Sequence, residues 1–532
     1  MVLLTQGGTW FENVYPGVRC DTPAHSYQLS FAPNHRWSEH YPAGSEIQKY
    51  YQKVVEDFGL DKIIQLRHQV QKAFWNSETC KWDLTILNLT TYKKFVDSAD
   101  FLLSAPGRVN QWGLPQIPGL LDGTFSGKVV HTSNWDSGLE LEGKRVAVIG
   151  NGASGQQILP AILNQCQHID HYVRSNTWVL PSKEREIIPD TNTVAPSIRR
   201  PGGHDYSSEQ MQLWETDEEA YLLFRKSIEI EFHKPYHSTI LHSKENSLLR
   251  ERCKDTLRRR LGGNVQLLER ITPNYAPGCR RMTAAPGYIE AIANSEKVEY
   301  ITDTLIAATE NALVTSDGTS RSVDIVIAAT GHTNGFLPRY QTIGLQGKDL
   351  AKEWAPDGSI GYPFSYFGIM APDFPNYFFI LQAQGSAIGG TVPLHAEISA
   401  VYAANVIKKI QSEGYKYLYP KQGPTVDFNK AVDHYFKDKV YADQCTSTFK
   451  TKIGASNRVF FAWPGSGHHR NSMLRSPRWE DFEYKREENS QVNRYGYFGN
   501  GWTKKENRND PDELTDYLKL VSDIDLKTLH EK

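Results

Sequence analysis

The 532-residue chain has almost no excess charge of either sign and no long apolar run. Lys and Arg number 59 and Asp and Glu number 61, so the formal net charge is −2. A near-neutral chain is not drawn to nucleic acid or to an anionic membrane surface, and neither is expected as a partner. No run of about 18 apolar residues is present to span a membrane, and no secretory signal opens the chain. The sequence therefore predicts a cytoplasmic protein.

Cysteine is scarce. The six cysteines stand apart at positions 20, 80, 166, 253, 279 and 445, without a C-x-x-C pair. This density is far below that of a disulfide-stapled domain and is typical of thiols in a reducing compartment. His468 and His469 are neighbours with no carboxylate at ligand spacing, so no metal site is expected.

The pattern of apolar residues predicts an α/β fold. The chain exceeds the roughly 250–300 residues at which a single core stops growing, so several domains are expected. From Lys144 the sequence KRVAVIGNGASGQQILPAI predicts a strand, a Gly-rich turn and a helix. From Arg321 the sequence RSVDIVIAATGHTNGF predicts another buried strand. Residues 205–262 are rich in Glu, Lys, Arg and Leu at helical spacing, which predicts a helical insertion.

The Gly-rich turn matches the dinucleotide motif G-x-G-x-x-G. Its glycines allow a tight turn, close approach of a pyrophosphate and close packing of helix on strand. The free N–H groups of the helix N-terminus then face the phosphates. The residues expected to bind this cofactor are Gly150, Gly152, Ala153, Ser154, Gly155 and Gln156.

The next predicted strand ends in Arg174 and Ser175, nineteen residues beyond Gly155. A site for NAD usually has Asp or Glu here, which bonds the ribose 2′-hydroxyl, whereas Arg suits the 2′-phosphate of NADPH. The pattern therefore favours NADPH, with Arg174 and Ser175 as ligands. A merely solvated arginine remains the alternative.

A second motif lies just upstream, from Phe125 to Asp136, in the sequence FSGKVVHTSNWD. It resembles the F-x-G-x-x-x-H-x-x-x-W-[P/D] fingerprint of Baeyer–Villiger monooxygenases, within the flavin-containing monooxygenases. Further similar segments are GGTWFENVYPGVRCD, WSEHYPAGSEIQKYY, GCRR, IAATGH, FPNYFFI and WPGSGHH…RWEDFEY, and they resemble fungal members that tailor polyketides and terpenoids. The resemblance places His131 and Trp135 in a linker between domains, although simple core packing would explain both.

The resemblance implies an enzyme that uses NADPH, FAD and O2 to insert an oxygen atom beside the carbonyl group of a small hydrophobic ketone. It also implies two Rossmann-like, dinucleotide-binding-type domains. The FAD-type domain would comprise residues 1–137 and 325–532, and the NADPH-type domain residues 138–324 with the helical insertion. In such enzymes the cofactor supplies the chemistry, while the protein positions the reagents and stabilises charge.

The resemblance also assigns the site residues. The family's G-x-K-R segment falls on Gly278–Arg281, so Arg281 would stabilise negative charge on the reacting oxygen atoms and Arg280 would lie near NADPH. Asp21, from a C-D pair, would orient Arg281 through a bidentate ion pair. The alternative is that Arg280 and Arg281 are a basic pair on the surface and that Asp21 is a turn residue. The expected FAD contacts are Thr9, Trp10, Asn13, Arg19, Cys20, Asp21 and Tyr27.

Three departures from the family pattern concern FAD. The family begins with a strand–G-x-G-x-x-G–helix–strand unit of roughly 30 residues, whereas here only Met1–Gln6 precede Gly7, and Thr5-Gln6 replaces the expected acidic residue. Gln382–Gly385 stands where the family has Gly-Pro, and Ala105-Pro106-Gly107 where it has A-T-G. The first Rossmann-like domain is thus expected to be N-terminally truncated, and FAD binding by this chain is doubtful.

Three hypotheses remain open at this point. The chain is a truncated form of an FAD- and NADPH-dependent monooxygenase, which the intact NADPH motif and Arg281 favour. It is a flavin-free descendant that catalyses a cyclisation, isomerisation or dehydration, which the change at Gln382–Gly385 favours. Or it is a non-catalytic partner protein.

We expect Arg174→Ala to weaken NADPH binding by about 1.5–3 kcal/mol, the usual value of hydrogen bonds to a charged group. NADH binding should change little, because NADH lacks the 2′-phosphate. Titration of both cofactors checks this, and equal losses for the two would remove Arg174 from the role.

We also expect the chain as given, purified without added flavin, to carry little FAD, because a pyrophosphate needs directed N–H donors. The absorbance spectrum of the purified protein measures this. Restored yellow colour after adding a family-type N-terminal unit before Gly7 would support the truncated monooxygenase. Stoichiometric FAD in the unextended chain would contradict the expectation.

Overall fold

The computed structural model describes residues 7–181, 198–200, 203–332, 336–447, 449–453, 456–487, 495–508, 510–515 and 518. The strand end predicted at Met1–Gln6 lies outside the described residues. The chain combines helices with parallel and antiparallel sheets, which confirms the predicted α/β class. Within the described residues, no helix is both long and apolar enough to cross a membrane.

The α-helices of the described residues are Thr9–Glu12, Gly44–Asp57, Ala153–Ile162, Ser208–Thr216, Glu218–His233, Lys244–Arg260, Val265–Ile271, Tyr288–Asn294, Leu350–Trp354, Val392–Ser412, Gln422–Tyr435, Gly467–Leu474, Lys504–Arg508 and Pro511–Leu514. The helices between Ser208 and Arg260 fall in the segment where helical spacing predicts an insertion. Each of the three begins at a side-chain cap, on Ser207, Asp217 and Ser243, which accepts a hydrogen bond from the first turn.

A five-stranded parallel sheet carries the predicted Gly-rich turn. Its strands lie side by side in the order Val298–Ile301, His168–Tyr172, Arg145–Ile149, Ile325–Ala328 and Lys128–His131. The remaining strands form a four-stranded sheet (Gln341–Ile343, His68–Asn76, Lys81–Asn88, Lys94–Ala99), a three-stranded sheet (Leu305–Ala308, Ala312–Thr315, Ser320–Ser322) and five pairs: Leu102–Ser104 with Tyr377–Phe379, Ser386–Ile388 with Ala462–Ser466, Tyr415–Pro420 with Phe482–Arg486, Lys450–Ile453 with Ser456–Val459, and Ile198–Arg200 with Gly203–Asp205.

Both faces of the parallel sheet are covered. Val148 and Ile327 point to one side, where they pack with the helices Ala153–Ile162 and Tyr288–Asn294. Ala147 and Val326 point to the other side, where they pack with Leu120 and other apolar side chains. Burial on both faces explains why these strands are continuous apolar runs rather than alternating ones.

The turn between Arg145–Ile149 and the helix Ala153–Ile162 accepts only glycine at two positions. A Cβ added to Gly155 would lie 2.0 Å from the carbonyl oxygen of Gly150. Gly150 has φ +113°, and a Cβ there would lie 2.5 Å from the oxygen of Ala329. Helix, turn and neighbouring strand therefore meet at backbone contact, as the motif predicts.

The predicted domain boundaries remain predictions. The strands Lys128–His131 and Ile325–Ala328, which the proposed boundaries at 137 and 325 assign to the FAD-type domain, pair with the sheet that carries the NADPH-type turn. The described part of 325–532 contributes further elements, among them the long helix Val392–Ser412 and the strand Tyr377–Phe379, which pairs in parallel with Leu102–Ser104.

The helical insertion packs on the N-terminal segment through aromatic side chains. The ring of His25, fully buried, lies 4.8 Å from the rings of both Tyr206 and Trp214. Its Nδ1 is 2.9 Å from the hydroxyl of Tyr221. Burial holds the pKa of His25 well below its usual value, so the imidazole is neutral in this contact.

Two of the six cysteines form a disulfide, between Cys279 and Cys445. The expectation that the cysteines remain thiols is therefore wrong for this pair. The two residues are 166 positions apart in sequence, and only the tertiary fold brings them together. Cys20, Cys80, Cys166 and Cys253 are free thiols.

We expect Ile327→Ala to lower the free energy of unfolding by about 2–5 kcal/mol, because it opens a cavity at the centre of the parallel sheet. The Ile327 side chain is 0% exposed. Ile306→Ala is the matched control, since Ile306 is 47% exposed on the strand Leu305–Ala308, and it should change the value by no more than about 0.5 kcal/mol. Chemical denaturation followed by circular dichroism measures both, and equal effects would contradict the described core.

Candidate active site

The Gly-rich turn leaves one glycine facing open space. A Cβ built on Gly152 meets nothing closer than a terminal nitrogen of Arg280, at 4.0 Å. Gly152 is also the N-cap of the helix Ala153–Ile162 and offers no side chain to its free N–H groups. These donors remain available to an anion, and the missing Cβ leaves room for a phosphate group to approach the backbone.

The turn is fixed from behind by a buried hydrogen-bond network. Gln156 donates from Nε2 to Oδ1 of Asn151 at 3.0 Å and accepts from the hydroxyl of Thr283. The Thr177 hydroxyl donates to the Asn151 carbonyl oxygen at 2.7 Å. Gln156 is therefore close to the turn, as predicted, but its amide is engaged within the protein. Its contribution is to hold the loop and the segment that follows Arg281 in register.

Arg280 reaches Ser175, which together with Arg174 is predicted to bind the 2′-phosphate. Arg280 donates from Nη1 to the hydroxyl of Ser175 at 2.9 Å and to its carbonyl oxygen at 3.3 Å. Arg174 is exposed, and no hydrogen bond or ion pair within the described part of the chain holds its side chain. One guanidinium is therefore fixed next to the turn, while a second beside it remains available to a ligand.

Arg281 and Asp21 form a bidentate ion pair across 260 residues of sequence. Nε of Arg281 donates to Oδ2 of Asp21 at 2.9 Å, and the second terminal nitrogen donates to Oδ1. The Asp21 side chain is 14% exposed and that of Arg281 is 60% exposed. The carboxylate fixes the plane of the guanidinium, and its charge raises the pKa of Arg281. Arg281 is thus a permanent, oriented and accessible cation.

The N-terminal segment packs directly on the nucleotide-type helix. A Cβ added to Gly17 would lie 2.6 Å from the Gln157 carbonyl oxygen. Gln157 donates to the Arg19 carbonyl oxygen at 3.1 Å and accepts from the Tyr15 hydroxyl at 2.8 Å. A small cavity lies at this junction, lined by Arg19, Cys20, Asp21, Tyr41, Ala153, Gln156, Gln157, Thr283, Ala284, Ala285 and Pro286. The cavity is thus lined by predicted contacts of FAD (Arg19, Cys20 and Asp21) and of NADPH (Ala153 and Gln156).

The other predicted FAD contacts lie in the same segment. Trp10 packs edge-on to Tyr27, with ring centroids 5.7 Å apart. Asn13 is buried and donates to the carbonyl oxygen of Thr9 at 2.8 Å. Arg19 pairs with Glu39 at 2.8 Å. Burial raises the pKa of Cys20 to about 12, so its thiol stays protonated.

The fingerprint histidine is a buried connector. The His131 ring stacks on Trp112, and its Nδ1 accepts from the backbone N–H of Ser133 at 3.0 Å. Ser133 in turn donates to Oδ1 of Asn13 at 2.8 Å and lies 3.1 Å from Nε2 of His332. Burial, aided by His332, lowers the pKa of His131 to about 4. His131 is thus neutral, and it connects its own strand to Trp112 and His332. Trp135 packs against the core beneath the parallel sheet.

The loop that departs from the family pattern buries polar groups without partners. Gln384 adopts φ +55° and donates from its backbone to the Phe460 carbonyl oxygen at 2.6 Å. Its side-chain oxygen accepts from the Ser365 hydroxyl at 2.8 Å. The side-chain nitrogens of Gln382 and Gln384 are buried and have no hydrogen-bond partner within the described structure. A buried N–H without a partner destabilises the fold unless an acceptor reaches it.

Sequence reasoning missed several residues of this site. His332 is the last residue of the quoted segment IAATGH and Tyr15 lies within GGTWFENVYPGVRCD, so both had a signal, whereas Gln157 and Thr283 carry none of their own. Three candidate metal ligands, His168, Asp170 and Glu299, lie within 4.8 Å of one another. Arg321 binds Glu299 at 2.7 Å, so this group is part of an ion-pair network. His469, one of the two neighbouring histidines considered in the sequence, accepts a hydrogen bond from the indole N–H of Trp463 at 2.9 Å.

Comparison with known proteins identifies the family. The model for the flavin-binding monooxygenase-like family matches residues 19–192. The FAD-binding monooxygenase tazF of Aspergillus terreus is 32% identical over 95% of this chain and 86% of its own length. A Baeyer–Villiger monooxygenase of Streptomyces coelicolor is 28% identical over 86% of this chain and 82% of its own length.

A solved structure shares the fold. The crystal structure of OTEMO in complex with FAD and NADP superimposes with a TM-score of 0.74 at 21% identity, covering 90% of this chain and 92% of the other. This likeness confirms the predicted fold class. Taken with the sequence identity across nearly the whole chain, it leads to one conclusion: the chain belongs to the flavin-binding monooxygenase-like family.

Proposed function

We propose that this protein is an FAD- and NADPH-dependent Baeyer–Villiger monooxygenase that acts on a small hydrophobic ketone in a polyketide or terpenoid pathway. The balanced reaction consumes the ketone, O2, NADPH and a proton, and it yields an ester or lactone, NADP+ and water. One oxygen atom enters between the carbonyl carbon and its neighbour, and the other leaves as water.

The ion pair between Arg281 and Asp21 is the observation that carries this proposal. Oxygen insertion develops negative charge on the reacting oxygen atoms, and a fixed cation stabilises such charge better than a mobile one. Asp21 orients the guanidinium through both of its carboxylate oxygens. Arg281 is 60% exposed, so its free side would be accessible to the reacting atoms, while the buried carboxylate of Asp21 restrains the guanidinium.

The residues fit NADPH. The open side of Gly152 and the N-terminus of the helix Ala153–Ile162 would receive the pyrophosphate. Arg174 and Ser175 would receive the 2′-phosphate, and Arg280, bonded to Ser175, would neutralise part of its charge. The name of tazF mentions FAD, and the OTEMO structure is a complex with FAD and NADP, which supports the same pair of cofactors for this chain.

For FAD, the support is that the expected contacts Arg19, Cys20 and Asp21 line one cavity together with Ala153 and Gln156 of the NADPH-type turn and helix. The buried side-chain nitrogens of Gln382 and Gln384 add no evidence for flavin, because they do not line this cavity. When bound, FAD takes up the reducing equivalents of NADPH and activates O2. This protein's share of the work is then to exclude water, to orient the two cofactors and to hold Arg281 at the reacting atoms.

The test is Arg281→Met in the FAD-supplemented protein, with an aryl or cyclic ketone as the probe. Loss of the cation should lower kcat for ester formation about 10²–10³-fold, the range seen when one charge-stabilising donor is removed. NADP+ binding should change little, because Arg280 and Ser175 are retained. Product formation by mass spectrometry and NADP+ binding by calorimetry measure the two effects separately.

Arg36→Met is the matched control. Arg36 also makes a bidentate pair with a carboxylate, that of Glu215, but on the surface of the helical insertion. It should leave ester formation unchanged. Ester formation that survives Arg281→Met would contradict the proposed role, and flavin-free protein that cyclises, isomerises or dehydrates a pathway intermediate would favour the non-redox descendant.

A further inference from the structure

The disulfide lies next to the two arginines of the site. Cys279 immediately precedes Arg280 and Arg281, and its sulfur is bonded to that of Cys445. Both cysteines are buried. Cys445 belongs to the stretch between the short helix Val440–Ala442 and the strand Lys450–Ile453, so the bond ties the arginine segment to the C-terminal part of the chain.

Further contacts join the same two segments. The Ala276 backbone N–H donates to Oδ2 of Asp443 at 2.6 Å. Within the second segment, the ammonium group of Lys450 donates to the carbonyl oxygen of Asp443 and is 3.4 Å from that of Cys445. Gly278 has φ +90°, and a Cβ there would lie 3.3 Å from a methyl group of Val440. Residues 276–279 thus form a tight turn, closed by the hydrogen bond from the Cys279 N–H to the Ala276 carbonyl oxygen, which packs on residues 440–445.

The arginines that leave this turn reach two other parts of the site. Arg280 binds Ser175 at the end of the nucleotide-type strand, and Arg281 binds Asp21 in the N-terminal segment. Each contact is made by a long side chain whose rotamer freedom opposes ordering. A backbone anchored covalently one residue before Arg280 fixes the point from which both side chains start, so less backbone freedom is lost when they bind.

We propose that Cys279 and Cys445 are positioning residues whose disulfide holds Arg280 and Arg281 in their binding geometry, so that the thiol–disulfide state of this pair controls the site. The proposal rests on the proposed function, in which these arginines serve NADPH and the reacting oxygen atoms. Reduction by a dithiol breaks the S–S bond: two electrons and two protons pass to Cys279 and Cys445, two thiols form, and the dithiol becomes a cyclic disulfide.

The first measurement is a thiol titration of the full chain, denatured without reductant. The structure has four free cysteines among the six of the sequence, so we expect four reactive thiols before reduction and six afterwards. Six thiols before reduction, in protein purified and oxidised in air, would overturn the proposal whatever the enzyme's activity.

The second measurement is NADP+ binding by calorimetry, which needs neither flavin nor turnover. Cys445→Ser should weaken binding about tenfold, since part of the ordering cost returns to Arg280. Cys80→Ser is the matched control, because Cys80 is a free cysteine in the turn between the strands His68–Asn76 and Lys81–Asn88, and it should leave binding unchanged. Dithiol treatment of the wild type should reproduce the loss, and reoxidation should reverse it.

A double-mutant cycle separates positioning from general destabilisation. In an Arg280→Ala background, Cys445→Ser should have little further effect on NADP+ binding, because the group it positions is gone. Additive losses would overturn the proposal and indicate a merely structural bond. Wild-type protein that does not bind NADP+ would refute the proposed function, whereas normal binding that Cys445→Ser leaves intact would refute only the role of the disulfide.

Discussion

The close approach of backbone to backbone at the Gly-rich turn is the constraint on which this structure depends. Because Gly155 lies against the Gly150 carbonyl oxygen, the helix Ala153–Ile162 begins directly over the end of the strand Arg145–Ile149. That position aims its N-terminus at the space beside Gly152. It also makes the side of the helix a platform for the N-terminal segment, through Gly17 and Gln157.

The site is built at the place where three sequence-distant segments meet that platform. Residues 276–281 pass beside the helix Ala153–Ile162, where Arg280 binds Ser175 and Arg281 binds Asp21. Asn13, Ser133 and His332 are joined nearby by hydrogen-bond contacts. An enzyme that must bring two cofactors and a substrate together needs such a junction, since catalysis by positioning is lost when the reacting groups are misplaced by an ångström.

Electrostatics at the junction is dominated by arginine. Asp21 binds the guanidinium group of Arg281, whereas the neutral hydroxyl of Ser175 binds that of Arg280. The remaining positive charge suits a phosphate-bearing cofactor and developing oxyanions alike. The buried thiol of Cys20 lies beside the pair of Asp21 and Arg281, and burial raises its pKa to about 12, so it stays protonated.

Local patterns determined much of this protein. The strand, turn and helix at residues 145–162, the helices of the insertion and the strand Ile325–Ala328 all follow from periodicity and glycine placement, because their short-range sterics are encoded in neighbouring residues. The dinucleotide motif was also visible, whereas the role of the arginine segment and the partnership of Arg281 with Asp21 came only through family resemblance.

Tertiary structure alone decided what joins segments far apart in the chain. The Cys279–Cys445 bond, the network of Gln156 with Thr283, and the contact of Ser133 with Asn13 have no local signature. Nothing in the spacing of six scattered cysteines indicates which two will meet, because their separation in space is set by the packing of whole segments. The sequence by itself thus determined the kinds of elements and the chemistry they carry, and the fold decided which of them face one another.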